Sequence, residues 1–559
     1  MSSTTVLLDQ NLFNLSYNSL SEVDQTRMSD LRARSITRYY GFAPNDISHL
    51  TPKFWAFHRD DICAFDISAF SLITIQCNLV AGTLATYAEK RTEYQNLVKR
   101  VLSFDVQGQY MLTELGHGLD AKHLETTATL LSDGSFDLYT PRLHAAKYMP
   151  PTSPVEGFPR FGLVMARLIV ENEDRDVRPF IVWLNNGREM CPGVTCRVLP
   201  RRAGSKPLDH SITSFNHVRL PASALLGSLA KPDDPRQNFL HVISRIGVGT
   251  MAISTTLLPI LKRCAFVAGK YSLRRRITNP EGSLISIFTF RTQQQPILHA
   301  LAQIAVFEAW IPQCIAQYTD PTLTAPVRHA LGVCVKAVLS KAVQHSGFHL
   351  AERCGAQGLY EYNHIVESQL ESRGIAVSEG DTLVLSIRLT TELLLNRYAM
   401  PQSRHPATLL AQHETGLLAA TRTRLHTMSD GHRGAEYNRV LLPQCLPIVE
   451  AIGQRMAYEA ALDAGVEPDL LALYEAGVVL QDPAWYAEHC GLSREAQLDQ
   501  ERRALDALEP RVEELLDGLG VERFCTAPIL SAERMERFVA GLPTFGEDGN
   551  REGQRESRL

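Results

Sequence analysis

What this chain lacks narrows it before any motif is read. It has no CxxC pair and no His/Cys cluster at zinc-ligand spacing, and of its eleven cysteines only Cys191 and Cys196 lie close together. Scattered from Cys63 to Cys525, they read as reduced thiols in an intracellular compartment, most of them core filler. No GxGxxG follows a strand, and there is neither a Walker loop nor a GxSxG elbow, so any cofactor must be held another way. Charge of one sign is scarce. With 56 Lys+Arg against 61 Asp+Glu the formal net charge is -5, which argues against nucleic acid as a partner. The opening "MSSTTVLLDQNLFNLSYNSL" has neither a basic region nor a continuous apolar one, so no secretory signal is expected. The longest apolar stretch, Ala64 to Tyr87, is broken by Asp66, Gln76, Asn78 and Gly82, and fits a buried helix pair better than a membrane span.

What is present is a globular composition, 45% hydrophobic and 21% charged, over 559 residues. That length exceeds one ordinary core, so three or four structural units are expected. Residues 1–107 read as helical, notably around Leu72 to Arg100. From 108 to 225 the texture changes to short strands. "TTATLL" and "FDLY" flank the turn signal "SDGS", and "FGLVMARLIV" and "RPFIVWLN" flank the polar "ENEDRD". "GVTCRVLP" and "SITSFNHVRLP" complete this compact β unit. Helical period returns over 226–400, where Val335, Val338, Leu339, Ala342 and Val343 share one face and the helix stops near Gly355. A further helical unit fills 401–545, with "RVEELLDGLG" its clearest amphipathic segment. Residues 546–559 are polar, glycine-rich and expected to be disordered, ending in Ser557-Arg558-Leu559. That ending is a conservative variant of the Ser-Lys-Leu peroxisomal address and predicts a peroxisomal import receptor as partner. The fold class expected is α+β, mostly helical: an N-terminal helical domain, a central small β-barrel or sheet domain, and two C-terminal helical domains.

Two stretches stand out for chemistry. "QYMLTELGHGLDAKHLE", from Gln109, has no helical period and lays Thr113, Glu114, Leu115, Gly116, His117 and Gly118 in a row ahead of strands. A glycine-rich polar loop feeding a small sheet suggests that something is held against backbone. In "SEGDT", Ser378 to Thr382, the apolar helix that follows suggests that Ser378 caps it with Asp381 returning the bond, which would put Glu379 in the first turn. On the residues alone, Glu379 simply favours a helix N-terminus through the dipole.

"TELGHG" followed by "LETTAT", then "FNHVRLP", "YSLRRR", "FRTQQ", "CGAQG" and "SEGDT" in that order resemble the acyl-CoA oxidases, the peroxisomal branch of the acyl-CoA dehydrogenase superfamily. The likeness extends to the last helical unit, around "LYEAGVVLQD" and "VEELLDGL", and so to nearly the whole chain. The resemblance implies non-covalent FAD in a homodimer; no metal is expected, since the residues offer no ligand cluster. Thr113 and Gly118 would lie against the flavin ring, with the Thr113 hydroxyl bonding it. Arg275 would reach the FAD pyrophosphate across a subunit boundary, as suits a planar guanidinium fork. Gln293, Gln294, Gly355 and Gly358 would meet the partner's cofactor. Glu379 would be the general base, with Gly380 leaving room for substrate and His117 structural.

The chain also departs from the family pattern. Where oxidases follow the second strand with Trp-Trp-Pro-Gly-Gly, Lys147 here precedes Tyr148-Met149-Pro150-Pro151, and Pro151 has no N–H to donate. Leu119 stands for the usual Thr, CGGHG has become Cys354-Gly-Ala-Gln-Gly358, and the aromatic before the base is Ser378. The reaction implied is alpha,beta-dehydrogenation of an acyl-CoA-type thioester, with O2 reoxidising the flavin to give H2O2. Tyr148, Met149 and Pro151 would reshape the substrate pocket. The alternatives are a tailoring oxidase or dehydrogenase acting on a specialised or carrier-bound intermediate, and a flavin-free helical scaffold.

Overall fold

The computed structural model describes residues 4–88 and 91–545; the tail ending in Ser557-Arg558-Leu559 lies outside the described residues. The first long helix, Glu22–Tyr40, starts where the Ser21 hydroxyl accepts from the Asp24 N–H at 3.2 Å, and stops at Gly41 with φ 54°. The apolar stretch expected to form a helix pair is instead one continuous helix, Ile67–Ala88, with a π-helical segment, Ile75–Ala81, in its middle. The polar residues that interrupt the apolar run are its tethers. Asp66 caps the helix by accepting from Ala69 N–H and pairs with the buried Arg32 at 2.9 Å. Gln76 donates to the carbonyls of Val101 and Val106 and accepts from Gly108 N–H. Asn78 turns toward the site described below.

Nine strands follow between Gln107 and Leu220. β1 (Gln107–Met111), β2 (Thr127–Leu130), β3 (Phe136–Tyr139), β5 (Arg160–Val170), β6 (Glu173–Asn185) and β9 (Val218–Leu220) form one sheet; β4 (Lys147–Pro151), β8 (His210–Phe215) and β7 (Val194–Val198) form another. The long β5 organises the first sheet. It pairs parallel with β1 over its first half and with β2 over its second, and antiparallel with β6 along its length. "SDGS" makes the expected β2–β3 turn, with Gly134 at φ 83°. The β5–β6 turn is tighter than "ENEDRD" suggests. Only Glu171 and Asn172 form it, both at positive φ, and β6 already begins at Glu173. Phe136, Leu138, Val164, Leu168, Phe180, Val182 and Phe215 fill a core separate from that of the helices.

The helical core is built around Ala325–Arg353, buried without interruption from Ala330 to Ser340 and flanked by Ser244–Thr255, Leu257–Arg274 and Arg291–Thr319. A helix apolar all round belongs at the centre of a bundle. Among the described residues three helical stretches, Ile67–Ala88, Ser244–Arg274 and Arg291–Thr319, are long and apolar enough by length and composition to cross a membrane, and here 89%, 94% and 61% of their most apolar windows are buried inside the protein. Cys445–Asp463 and Pro468–Val479 extend the same core toward the C-terminus.

Candidate active site

Glu379 sits in the loop between helices Ile365–Val377 and Thr382–Leu394, which corrects the cap expected from the sequence. Asp381, not Ser378, is the N-cap, its carboxylate accepting from Val384 N–H at 3.0 Å; Ser378 closes the preceding helix by donating its N–H to Gly374 O. Asp caps a helix as well as Ser does, and the chain uses the later of the two. Between the helices Glu379 (φ 52°) and Gly380 (φ 98°) are both left-handed, so Glu379 lies outside the helical turn. Such a conformation costs a non-glycine residue about 1 kcal/mol or more and needs support from its surroundings. Lys336, fully buried, donates to both flanking carbonyls, Ser378 O and Gly380 O, at 2.5 Å each, and the Thr250 hydroxyl donates to Glu379 O at 2.7 Å.

The side chain is fixed as firmly. Asn78 Nδ2 donates to Glu379 Oε2 at 3.1 Å. Gly249 leaves the space for the carboxyl, since a Cβ there would stand 1.1 Å from Oε2. The residue as a whole keeps some exposure, yet its carboxyl lies deep. Burial pushes it up to about 8, against the opposing pull of Lys336, Arg245 and the Asn78 bond. Burial likewise lowers Lys336 to about 8 and Arg245 to about 10. Tyr110, on β1, brings a buried hydroxyl with no hydrogen-bond partner among the described residues into the same region; burial, then the charge of Glu379, push its pKa well above the usual phenol value.

The "TELGHG" loop is pinned from beneath by a residue the sequence did not single out. The Glu114 carboxylate accepts from the N–H groups of Glu125 (2.7 Å) and Thr126 (3.0 Å) and from Lys147 Nζ (3.0 Å), and both members of the ion pair are fully buried. Lys147 also donates to Met165 O, tying the loop to β5. His117 bonds Glu125 at 2.8 Å and so serves the loop itself. Thr113 accepts from Tyr148 N–H through its carbonyl, while its half-buried hydroxyl makes no hydrogen bond among the described residues. A side chain at Gly118 would meet open space. Beside Tyr148, β4 carries an irregularity: Met149 has φ 90°, its carbonyl takes His210 Nδ1 at 2.7 Å, and Pro151 stands opposite His210.

The remaining sequence-selected residues gather elsewhere. Arg275 ends helix Leu257–Arg274, exposed and without an ion-pair partner among the described residues. Gln293 spends its amide inside the chain, donating to Ser272 Oγ at 2.8 Å and Arg353 O at 2.7 Å. Gln294 is buried. Gly355 (φ 58°) faces open space, whereas Gly358 is required by packing, because a Cβ would meet Ala351 O at 1.9 Å. Gly355 lies 19 residues beyond Lys336, near the end of the same helix, about 28 Å from it at 1.5 Å per residue. Within one chain, therefore, Glu379 and the Arg275 group are far apart. Asn78, Arg245, Gly249, Thr250 and Lys336 all escaped sequence reasoning. The visible signals were Asn78 as an interruption of an apolar run and a lone lysine between Val335 and Ala337.

Residues 248–394, which include Gly249, Lys336 and Glu379, match the family described as "Acyl-CoA oxidase, C-alpha1 domain". Acyl-coenzyme A oxidase 2, peroxisomal, of Arabidopsis thaliana is 25% identical over 356 residues, 59% of this chain and 51% of that protein. The chain thus spans about half the length of the curated relatives it matches. Among solved structures, acyl-CoA oxidase 3 of Yarrowia lipolytica superposes with a TM-score of 0.81 at 17% identity, covering 96% of this chain and 87% of that one. The Caenorhabditis elegans acyl-CoA oxidase-2 bound with FAD, ascaroside-CoA and ATP gives 0.71 at 17% identity, covering 94% of each. Residues 248–394 thus resemble the C-alpha1 region of acyl-CoA oxidases, and the chain shares the fold of solved acyl-CoA oxidases.

Proposed function

We propose that this protein is an FAD-dependent acyl-CoA oxidase in which Glu379 removes the proton alpha to the thioester carbonyl. The observation that carries the reading is the state of that carboxyl: deep, oriented by Asn78, and raised to about 8. A base this weakly acidic is better matched to a carbon acid than an ordinary carboxylate. The residues fit the cofactor in part. Thr113 has a hydroxyl to give, Gly118 and Gly355 leave open space, and Arg275 is an exposed guanidinium, without an ion-pair partner among the described residues, suited to a pyrophosphate. Gln293 and Gly358 are occupied within the chain, which leaves them less to offer. Bound FAD would supply the acceptor for the hydride leaving the beta carbon and a route for the two electrons to O2, giving H2O2. The separation of Arg275 from Glu379 supports a homodimer in which each site draws Glu379 from one subunit and Arg275 from the other.

The acyl group is proposed to be bulky or functionalised. The kinked β4, with Met149 at φ 90° and Pro151 opposite His210, supports this departure from a straight-chain pocket. The nematode neighbour bound with ascaroside-CoA shares the fold. The test is anaerobic mixing of the purified, yellow protein with a panel of acyl-CoAs, followed by air. Flavin bleaching by an acyl-CoA, slowed about 10²–10⁴-fold in Glu379→Gln, supports the assignment, and normal bleaching in that variant removes Glu379 from the mechanism. Rapid reduction by a palmitoyl-like thioester would refute the remodelled pocket.

A peroxisomal location rests on Ser557-Arg558-Leu559 and on relatives named as peroxisomal. Deleting those three residues should move the protein to the cytosol with its stability unchanged. A full-length protein already cytosolic would make the tripeptide a coincidence.

A further inference from the structure

We infer that Asn78 is a positioning residue for Glu379, holding the carboxylate in one orientation from within the π-helical segment, with Arg245 locking the Asn78 amide. The inference rests on the reading of Glu379 as the base and adds to it a residue 301 positions away in sequence.

The chemistry fixes which end of the amide meets the carboxyl. Arg245 Nη2 donates to Asn78 Oδ1 at 2.8 Å, and a guanidinium has only donors to offer. The oxygen must therefore face Arg245, which leaves Nδ2 directed at Glu379 Oε2 (3.1 Å) and Arg245 O (3.2 Å). Arg245 Nε also donates to the Asn78 backbone carbonyl at 3.0 Å, inside the π-helical segment. Such an interruption of a helix is frequent at functional sites. Two glycines make the arrangement possible. A Cβ on Gly82 would stand 2.1 Å from Arg245 Nε, and one on Gly249 would displace the Glu379 carboxyl and approach Asn78 Nδ2 to 2.8 Å. Four segments are thus shaped around one carboxyl: the Ile67–Ala88 helix, the Ser244–Thr255 helix, the Ala325–Arg353 helix through Lys336, and the Glu379 loop.

An N–H donated to a carboxylate favours its ionised form, so Asn78 makes Glu379 a base at a lower pH than burial alone would allow. The other charged or titratable groups that act on this carboxyl are Lys336 and Arg245, which also favour its ionisation, and Tyr110 and Tyr318, which burial keeps protonated.

The test is the pH profile of anaerobic flavin reduction in Asn78→Ala and Asn78→Asp, with flavin content measured alongside. Losing a hydrogen bond to a charged group should move the acid limb up by about one to two pH units. Asn78→Asp keeps the shape and gives Arg245 a carboxylate partner, so it remains informative if the alanine variant fails to fold. By setting a second carboxyl against Glu379 it should move the limb at least as far, with flavin retained and activity recovering at high pH. An acid limb at the wild-type position in a flavin-loaded variant overturns the inference. Unimpaired reduction by Glu379→Gln would instead overturn the underlying reading, so the two failures are separable.

Discussion

Gly249 and Glu379 occupy one volume: the position a Cβ would take on Gly249 is 1.1 Å from Glu379 Oε2. Gly249→Ala must therefore push the carboxyl aside, because the backbone of a buried helix cannot retreat as easily as a side chain can rotate. Misplacing a reacting group by about 1 Å costs on the order of 10²-fold in rate. Gly249→Ala should keep its flavin and lose reduction rate by about that factor. Stopped-flow reduction under anaerobic conditions measures it, and an unchanged rate would mean that the carboxyl has a second productive position.

Glu379 also makes stability depend on pH. Its folded carboxyl titrates at about 8, well above the ordinary carboxylate value. Between roughly 4.5 and 8 the unfolded chain gives up that proton while the folded chain keeps it, so this group's contribution to stability declines as pH rises through the window. Glu379→Gln has nothing to titrate. Its stability relative to wild type should rise from pH 5 to pH 8, by up to about 1.4 kcal/mol per pH unit, and should be flat below about 4.5. Urea denaturation at a series of pH values measures the difference; a constant offset would place the carboxyl at an ordinary value.

The buried Glu114–Lys147 pair gives a third prediction, about the loop rather than the base. Replacing one partner strands a charge with no access to water, which typically costs about 3–5 kcal/mol. Lys147→Met should lose stability on that scale. The double variant with Glu114→Gln should recover part of it, because the amide still accepts one loop N–H. Denaturation of the four proteins in a double-mutant cycle isolates the coupling, and additive losses would show that the pair holds nothing together.

The fold was largely legible because its signals are local. The apolar run "FGLVMARLIV" and the turn "SDGS" declare strands, and the apolar face around Val335 to Val343 declares a buried helix. Two local readings failed for physical reasons. A π-helical segment has no compositional signature, so Ile67–Ala88 looked like two helices where it is one. Ser378 and Asp381 are both good caps, and sequence gives no means to choose between them. The surroundings of the base were hardly legible at all. Asn78 and Glu379 meet across 301 residues and Lys336 reaches Glu379's flanking carbonyls across 42 and 44, and no period or motif records such pairings. Asn78 was visible only as an interruption of an apolar run, and interruptions of that kind are worth examining as tethers.

The last prediction tests the shared site. Arg275 ends its helix exposed, next to the hairpin formed by Arg276–Thr278 and Leu284–Ser286, where Leu284 is 65% exposed. An arginine without an ion-pair partner among the described residues, beside an exposed apolar side chain, is an arrangement that a second subunit would cover. If Arg275 gives a charge-assisted fork to the pyrophosphate of the partner's cofactor, Arg275→Ala should lose about 1.5–3 kcal/mol of binding, a 10- to 150-fold weaker hold on FAD. Arg275→Lys should recover only part, since a point charge replaces the fork. Flavin content after gel filtration, read together with the mass of the eluting species, distinguishes the possible causes. A dimer that has lost flavin assigns Arg275 to the cofactor. A monomer that has lost flavin assigns it to the interface. A dimer with full flavin removes it from both, and the cofactor would then depend on Thr113 and the "TELGHG" loop for its hold on this chain.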